Sequence, residues 1–223
     1  MSNKNLATLC TALVALTLSL TVAVPPAQAQ ENRILTFYTS SSAKVMSAVD
    51  SLLASSRYSF DVFCRHEQLE RGKVVHSDTL IARYYFTGFQ LDSQIVDIKT
   101  ANRFDDLDFF APNVMDMDYA FSFFPNDTGG VDLAIGFDTD SLNDPRPVGL
   151  AIINRDFHYP HRLHLSYPSE STRESFSQTY SFTLQAGSFV FPDTITDHVS
   201  EIGVLFPEHH RRITTIDNFR IDW

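Results

Sequence analysis

Apolar side chains that recur at every second position constrain this sequence more than any other feature. In the stretch 115–123 Met, Tyr and Phe alternate with polar or small residues, and the stretch 131–137 alternates in the same way. Between them lies 125–130, a run of Pro, Asn, Asp, Thr and Gly that is typical of turns. A period of two marks strands with one face on a core and one in water. The two stretches therefore predict a β-hairpin.

Shorter runs with similar patterns predict strands at nine further places. These are 34–39, 57–64, 79–89, 94–99, 148–153, 162–167, 176–184, 200–206 and 216–223. Residues 42–55 instead repeat apolar side chains at three and four positions, which predicts one helix with Ser41 or Ser42 as its N-cap. One helix cannot supply the crossovers of a parallel sheet. The pattern therefore predicts an all-β fold, an antiparallel sandwich or barrel.

Residues 1–29 have the organisation of an export signal. Lys4 precedes an apolar run over 6–24, and Ala27-Gln28-Ala29 forms a small-x-small cleavage site. The apolar run is also long enough for a membrane anchor, but its Thr and Ser content and the Ala-x-Ala ending favour cleavage. We therefore predict a mature chain that begins near Gln30, forms one domain over 30–223, has no membrane span and is secreted or periplasmic.

Charge and cysteine content narrow the class of partner. Without residues 1–29 the chain has one basic residue fewer than the 17 of the full sequence, against 27 acidic ones, so its formal charge falls from -10 to -11. This acidity argues against nucleic acid as a partner. Of the two cysteines only Cys64 remains, and we expect a buried strand cysteine, with a reactive or intermolecular thiol as the alternative.

Aspartates are concentrated between 92 and 144, where the sequence has twelve Asp and no Glu. The spacing of Asp138, Asp140 and Asp144 in a loop with Asn and Ser suits calcium, which takes oxygen ligands from carboxylates, carbonyls and water. The Gly and the closing Glu of an EF-hand are absent. The alternative is a solvated loop in which Asp and Asn cap turns.

Four tyrosines are candidates for ligand binding, because flat aromatic rings pack on the apolar faces of sugars. Three of the four neighbour Arg, His or Pro, which favours surface positions, although packing in the core or at a sheet edge is the alternative. They are Tyr84, Tyr85, Tyr159 and Tyr167. The sequence has no nucleophile elbow, metalloprotease helix or phosphate loop, so no catalytic residue is assigned.

The segments 198–204 and 215–221 resemble the closing strands of exported bacterial jelly-roll β-sandwich domains. These include carbohydrate-binding modules and the ectodomains of PEP-CTERM-type surface proteins, whose last strand has an Ile-Asp-Asn start like that at 216–218. The resemblance implies a jelly-roll fold and a structural calcium held with the help of Asp217. The end of the chain carries no sorting motif or anchor helix, which favours free secretion over surface anchoring.

Together these observations predict an antiparallel β-sandwich of jelly-roll type with one short N-terminal helix. The corresponding function is a non-catalytic binding module for glycan or another extracellular polymer. A secreted, glycosidase-like hydrolase that uses paired Asp residues and a structural surface or matrix protein are the alternatives.

Overall fold

The computed structural model describes residues 26–101, 104, 107–123, 132–139, 144–170, 172–185, 189–203 and 207–222. The chain divides into two compact units, Met1–Thr36 and Phe37–Trp223. Among the described residues, no helix combines the length and apolar character that crossing a membrane requires.

Helix α1 extends over Pro26–Ala54 and is much longer than the predicted one. The strand predicted at 34–39 is wrong, because these residues are helical. Hydroxyl side chains in α1 donate to carbonyls one turn earlier, as Thr36 does to Asn32 at 2.8 Å and Ser51 to Ser47 at 2.7 Å. These bonds satisfy the hydroxyl groups within the helix without interrupting it.

In the part of the chain that the structure describes, ten strands follow helix α1. They are β1 (Arg57–Glu70), β2 (Lys73–Thr87), β3 (Gln90–Lys99), β4 (Ala120–Phe123), β5 (Asp132–Asp138), β6 (Val148–Asn154), β7 (Pro160–Tyr167), β8 (Arg173–Gln185), β9 (Phe189–Glu201) and β10 (Glu208–Asp222). A short 3-10 helix, Val114–Asp116, lies between β3 and β4.

The strands form a single antiparallel sheet in the order β3-β2-β1-β10-β9-β8-β7-β6-β5-β4. The prediction of a mostly β, antiparallel fold with one helix is therefore confirmed. The predicted jelly-roll sandwich is wrong, because a jelly roll needs two packed sheets and these strands form one. Most strands pair with their neighbours in the sequence. The exceptions are β1, which pairs with β10, and β3 and β4, which lie at opposite edges of the sheet.

The two faces of the sheet differ in composition. In β1, Tyr58, Phe60, Val62 and Cys64 are all buried, whereas the alternate side chains, such as Phe63, point to the other face. We call the first face the core face and the second the open face. On the core face, Phe109 packs on Phe60 with ring centroids 5.1 Å apart, and the second half of α1 contributes the buried side chains of Met46, Val49 and Leu53.

The predicted hairpin is confirmed in its pairing, because Phe121 of β4 lies opposite Phe137 of β5. Strand β4 is shorter than predicted, since the 3-10 helix occupies 114–116, and the predicted turn at 125–130 lies outside the described residues. The strand predicted at 200–206 is misplaced. Strand β9 ends at Glu201, residues 202 and 203 are not in a strand, and 204–206 are not described.

Gly88 joins the end of helix α1 to the turn between β2 and β3. Its backbone has φ of 60°, and a Cβ there would lie 3.1 Å from the Ala54 carbonyl oxygen, so glycine is required on both counts. The Gly88 amide donates to the Ser56 carbonyl at 2.9 Å, and the Tyr58 hydroxyl donates to the Gly88 carbonyl at 2.6 Å. These bonds fix one end of the site described next.

Candidate functional site

An apolar trough of about 280 Å³ lies between strands β2 and β3, Phe104 and residues 107–110. Its floor is the core face of β2, from Leu80 through Tyr84 to Phe86, and these three side chains are no more than 5% exposed. The floor is therefore continuous with the hydrophobic core.

The floor belongs to a set of packed rings that we call the aromatic cluster. The ring centroids of Phe109 and Tyr84 are 4.9 Å apart, those of Phe109 and Phe60 are 5.1 Å apart, and both pairs meet edge to face. Such geometry is the preferred one for aromatic side chains. The cluster consists of Tyr58, Phe60, Tyr84, Phe86, Phe109, Phe110, Phe191 and Phe219.

Strand β3 forms the side wall of the trough. Its register places Leu91 opposite Phe86, Gln94 opposite Tyr84 and Lys99 opposite Leu80. Directly paired residues share a face of the sheet, so these side chains of β3 all line the trough with Val96. At about 3.3 Å per residue, Leu91 and Lys99 are roughly 25 Å apart along the strand. The trough is long and narrow.

Phe104 and residues 107–110 form the opposite wall. Phe104, Leu107, Phe109 and Phe110 line the trough, and the Phe110 ring meets Phe86 at 5.5 Å and Phe89 at 5.1 Å, edge to face in both cases. The Phe110 amide donates to the Asp108 carboxylate at 3.0 Å, which closes a tight local turn.

The trough opens to solvent along β3 although its walls are apolar. Phe89 is 48% exposed, Leu91 45% and Val96 41%. Isolated exposed apolar residues are ordinary, but contiguous ones that line a concavity mark a binding site.

Two polar side chains, Gln94 and Lys99, line the same concavity. Asp78, two residues before Leu80 on the core face of β2, is 6% exposed. Asp78 lies 3.2 Å from His76 Nε2 and accepts a hydrogen bond from the Thr100 hydroxyl at 3.3 Å.

A second group of side chains, which we call the polar cluster, lies further along the core face. Arg212 donates to the Asp197 carboxylate at 2.6 Å, and the Gln178 amide donates to the other Asp197 oxygen at 3.2 Å. The Tyr167 hydroxyl donates to Gln178 at 2.8 Å, and burial raises the pKa of Tyr167 to about 12. The hydroxyl of Tyr180 also donates to Gln178. This cluster is internally satisfied.

The four predicted ligand tyrosines are not brought together. Tyr84 lies in the trough floor, and Tyr85 follows it on the open face. Tyr159 packs against His161 at 5.1 Å beside the turn between β6 and β7, and Tyr167 belongs to the polar cluster.

The predicted calcium ligands lie in separate settings. Asp144 pairs with Arg146 at 2.6 Å, Asp138 accepts from the Thr139 amide, and Asp217 accepts from the Asn218 amide. Asp140 lies outside the described residues. Among those described, no three His, Cys, Asp or Glu side chains are placed to hold a metal ion. The calcium site stays a prediction.

Sequence reasoning did not find most of the trough. The sequence pattern assigns no binding role to the apolar residues Phe89, Leu91, Phe109 and Phe110. It predicts Lys99 only as the last residue of a strand. A signal was present in β3, where apolar residues occur at both odd and even positions, including Leu91, Ile95, Val96 and Ile98. A strand with one wet face should not show that pattern.

No family model matches the sequence, and no curated protein matches it. The fold is similar to two solved structures. One is a putative outer membrane lipoprotein-sorting protein domain from Vibrio parahaemolyticus, with 7% identity, coverage of 82% of this chain and 93% of the other, and a TM-score of 0.46. The other is a LolA superfamily protein from Nitrosomonas europaea, with 10% identity, coverage of 82% and 94%, and a TM-score of 0.37.

The predicted glycan-binding module was wrong, as was the resemblance to carbohydrate-binding modules and PEP-CTERM-type ectodomains. Both depended on a jelly roll, and the strands form one sheet instead. The supposed surface aromatic Tyr84 is 4% exposed, so its ring cannot stack on a sugar.

The hydrolase alternative was wrong as well. It too was assigned to a jelly-roll sandwich, whereas the strands form one sheet.

Proposed function

We propose that the protein binds an elongated apolar ligand, such as an acyl chain, in the trough between β2, β3, Phe104 and residues 107–110. The observation that carries the proposal is the combination of aromatic and aliphatic walls with solvent access along β3. The length of the trough suits a chain better than a compact ring system.

The energetics favour such a ligand. Removing apolar surface from water contributes about 25 cal/mol per Å², and the exposed side chains of Phe89, Leu91 and Val96 would lose their contact with water beneath a bound chain. The volume of about 280 Å³ lies just below the range of about 300–1,000 Å³ for drug-sized ligands. We therefore expect one chain and not several.

A pair of neighbouring residues on β3 gives a matched test. Val96 lines the trough and is 41% exposed, whereas Ile95, 56% exposed, lies on the open face opposite Arg83. Both are β-branched, so Val96→Asn and Ile95→Asn perturb the strand to similar extents. A polar group without a partner in an apolar site costs about 1–3 kcal/mol, so Val96→Asn should weaken binding of decanol about tenfold, and Ile95→Asn should leave it unchanged.

Binding of decanol is measured by its displacement of an environment-sensitive dye, with circular dichroism as the check on folding. Equal losses in the two variants would mean that the strand and not the trough was being measured. Absence of saturable binding to the wild-type protein would refute the proposed function.

We propose that the protein is periplasmic or secreted, because residues 1–29 have the organisation of an export signal. Cleavage before Gln30 would remove the first four residues of α1, which begins at Pro26. Mass spectrometry of protein from its native host should find an N-terminus at or near Gln30, and an intact Met1 on the accumulated protein would contradict this.

A further inference from the structure

The trough is closed at the end nearest the turn between β2 and β3. Phe89, in that turn, contacts Phe110 of the opposite wall edge to face, with ring centroids 5.1 Å apart. The Phe110 ring also meets Phe86 in the floor at 5.5 Å, again edge to face. Centroids at these distances belong to rings in contact. The two walls and the floor are therefore joined, and a chain that lies in the trough has no path between these rings.

Both rings are held by the backbone next to them. Phe89 follows Gly88, whose amide donates to the Ser56 carbonyl at 2.9 Å. The Phe110 amide donates to the Asp108 carboxylate at 3.0 Å. The two rings are therefore in contact before any ligand binds, as is usual in binding sites that are largely preformed.

Phe89 and Leu91 keep apolar surface in water at this closed end, since they are 48% and 45% exposed. Leu91 lies opposite Phe86, so its side chain lines the same concavity as the Phe89 ring. Covering such surface is what an apolar ligand gains from. The closed end thus suits the terminal methyl group of a chain, which has no polar atom to leave without a hydrogen-bond partner.

We propose that Phe89 and Phe110 set the maximum length of the chain that the trough accepts, with the methyl end of the ligand against their rings. This inference rests on the proposed function, because it requires that an apolar chain occupy the trough. The trough is open to solvent along β3, so carbon atoms beyond its capacity leave through that opening and stay in water. The ligand is therefore selected by the length of its chain and not only by its apolar character.

The test measures how affinity depends on chain length, with straight-chain alcohols from hexanol to tetradecanol, which share one headgroup. Each alcohol is used to displace the environment-sensitive dye from the wild-type protein, Phe89→Ala, Leu91→Trp and Phe157→Ala, with circular dichroism as the check on folding. Phe157 gives the matched control, because it also lies in a turn between paired strands, is 65% exposed and is not part of the trough lining. Leu91→Trp adds bulk at the closed end and acts in the opposite direction to Phe89→Ala.

In the wild type, each added methylene should tighten binding about fourfold, equivalent to about 0.8 kcal/mol, until the chain fills the trough and the affinity levels off. Phe89→Ala should move this limit to longer chains, because the lost ring has more carbon atoms than two methylenes. An alcohol two carbons beyond the wild-type limit should therefore bind Phe89→Ala about fifteenfold more tightly than it binds the wild type. Leu91→Trp should move the limit to shorter chains, and Phe157→Ala should leave it unchanged.

Three results would overturn the inference, and they can be told apart. If no alcohol binds the wild type saturably, the proposed function fails and the length limit fails with it. If alcohols bind and Phe89→Ala changes their affinity by the same factor at every length, Phe89 belongs to a wall and does not end the trough. If alcohols bind and Phe89→Ala keeps the wild-type limit, or the wild type has none, these rings do not select chain length. Should Phe89→Ala fail to fold, an unchanged limit in Leu91→Trp leads to the same conclusion.

Discussion

The aromatic cluster and the polar cluster occupy the same face of the same sheet but are held together in different ways. In the aromatic cluster, Phe60 is completely buried among rings whose centroids lie 5.1–6.4 Å from its own. In the polar cluster, Asp197 is 3% exposed and both of its oxygens accept hydrogen bonds. The first region is stable because apolar area leaves water. In the second, each buried charge offsets the desolvation cost of its partner, so that neither can be removed alone without a large loss.

This difference explains where the ligand site lies. An apolar surface can stay partly uncovered at moderate cost and then be covered by a ligand, as along β3. A buried ion pair cannot be left partly uncovered in this way, because removal of one partner leaves the other charge unpaired in a region of low polarity. The trough therefore extends from the aromatic cluster, whereas the polar cluster is closed by its own hydrogen bonds.

The largest expected effect separates the core face from the open face. Phe60→Ala should lower the free energy of unfolding by about 3–5 kcal/mol, because it opens a cavity among the packed rings. Phe63 is three residues further along β1, on the open face and 46% exposed, so Phe63→Ala should cost less than about 1 kcal/mol. Urea unfolding measures both, and similar losses would show that the two faces are not distinct.

The second prediction breaks the polar cluster. Asp197→Ala leaves Arg212 and the Gln178 amide without their acceptor, and we expect a loss of about 3 kcal/mol in the free energy of unfolding. The double variant with Arg212→Met removes both charges and should lose less than Asp197→Ala alone. If the losses of the two single variants add in the double variant, the pair is not coupled and the contrast with the aromatic cluster fails.

These two regions also show how far the sequence predicts the fold. Strands whose inward side chains are mostly apolar, such as β1 with Phe60 and β5 with Phe137, follow from the period-two pattern. Strand β9 does not, because its inward positions include Asp197 and because Pro192 interrupts the run. The number of sheets could not be predicted, since alternation says which residues point inward but not what covers them.

The candidate site was less predictable than the fold. Tyr84 was assigned to a ligand site for its exposure, yet it lies in the trough as part of the buried floor. The walls combine β3 with residues such as Phe104 and Phe110, which lie between β3 and β4 in the sequence and pack on the core face. No local sequence pattern predicts that these residues pack there.

The smallest effect concerns a second Asp–Arg pair on neighbouring strands, this one on the open face. The Arg83 guanidinium donates to both oxygens of Asp61, with Nη2 to Oδ2 at 2.7 Å, and the Asp61 side chain is 32% exposed, compared with 4% for Asp197. Because this ion pair is more exposed to solvent, it should contribute less than about 1 kcal/mol to the free energy of unfolding. Asp61→Asn should therefore reduce the free energy of unfolding only slightly at neutral pH.

The check is the pH dependence of the difference in free energy of unfolding between the wild type and Asp61→Asn. The hydrogen bond from Arg83 holds the pKa of Asp61 below its usual range in the folded protein. A carboxyl whose pKa is lower when folded stabilises the protein above the pKa of the unfolded chain, about 3.9, and this stabilisation is lost as pH falls through the folded value. The difference between wild type and Asp61→Asn in urea unfolding should be constant from neutral pH down to about 4, and then shrink. A difference that grows on acidification would mean that the pair does not stabilise the charged carboxylate, and that exposure alone does not explain the contrast with Asp197.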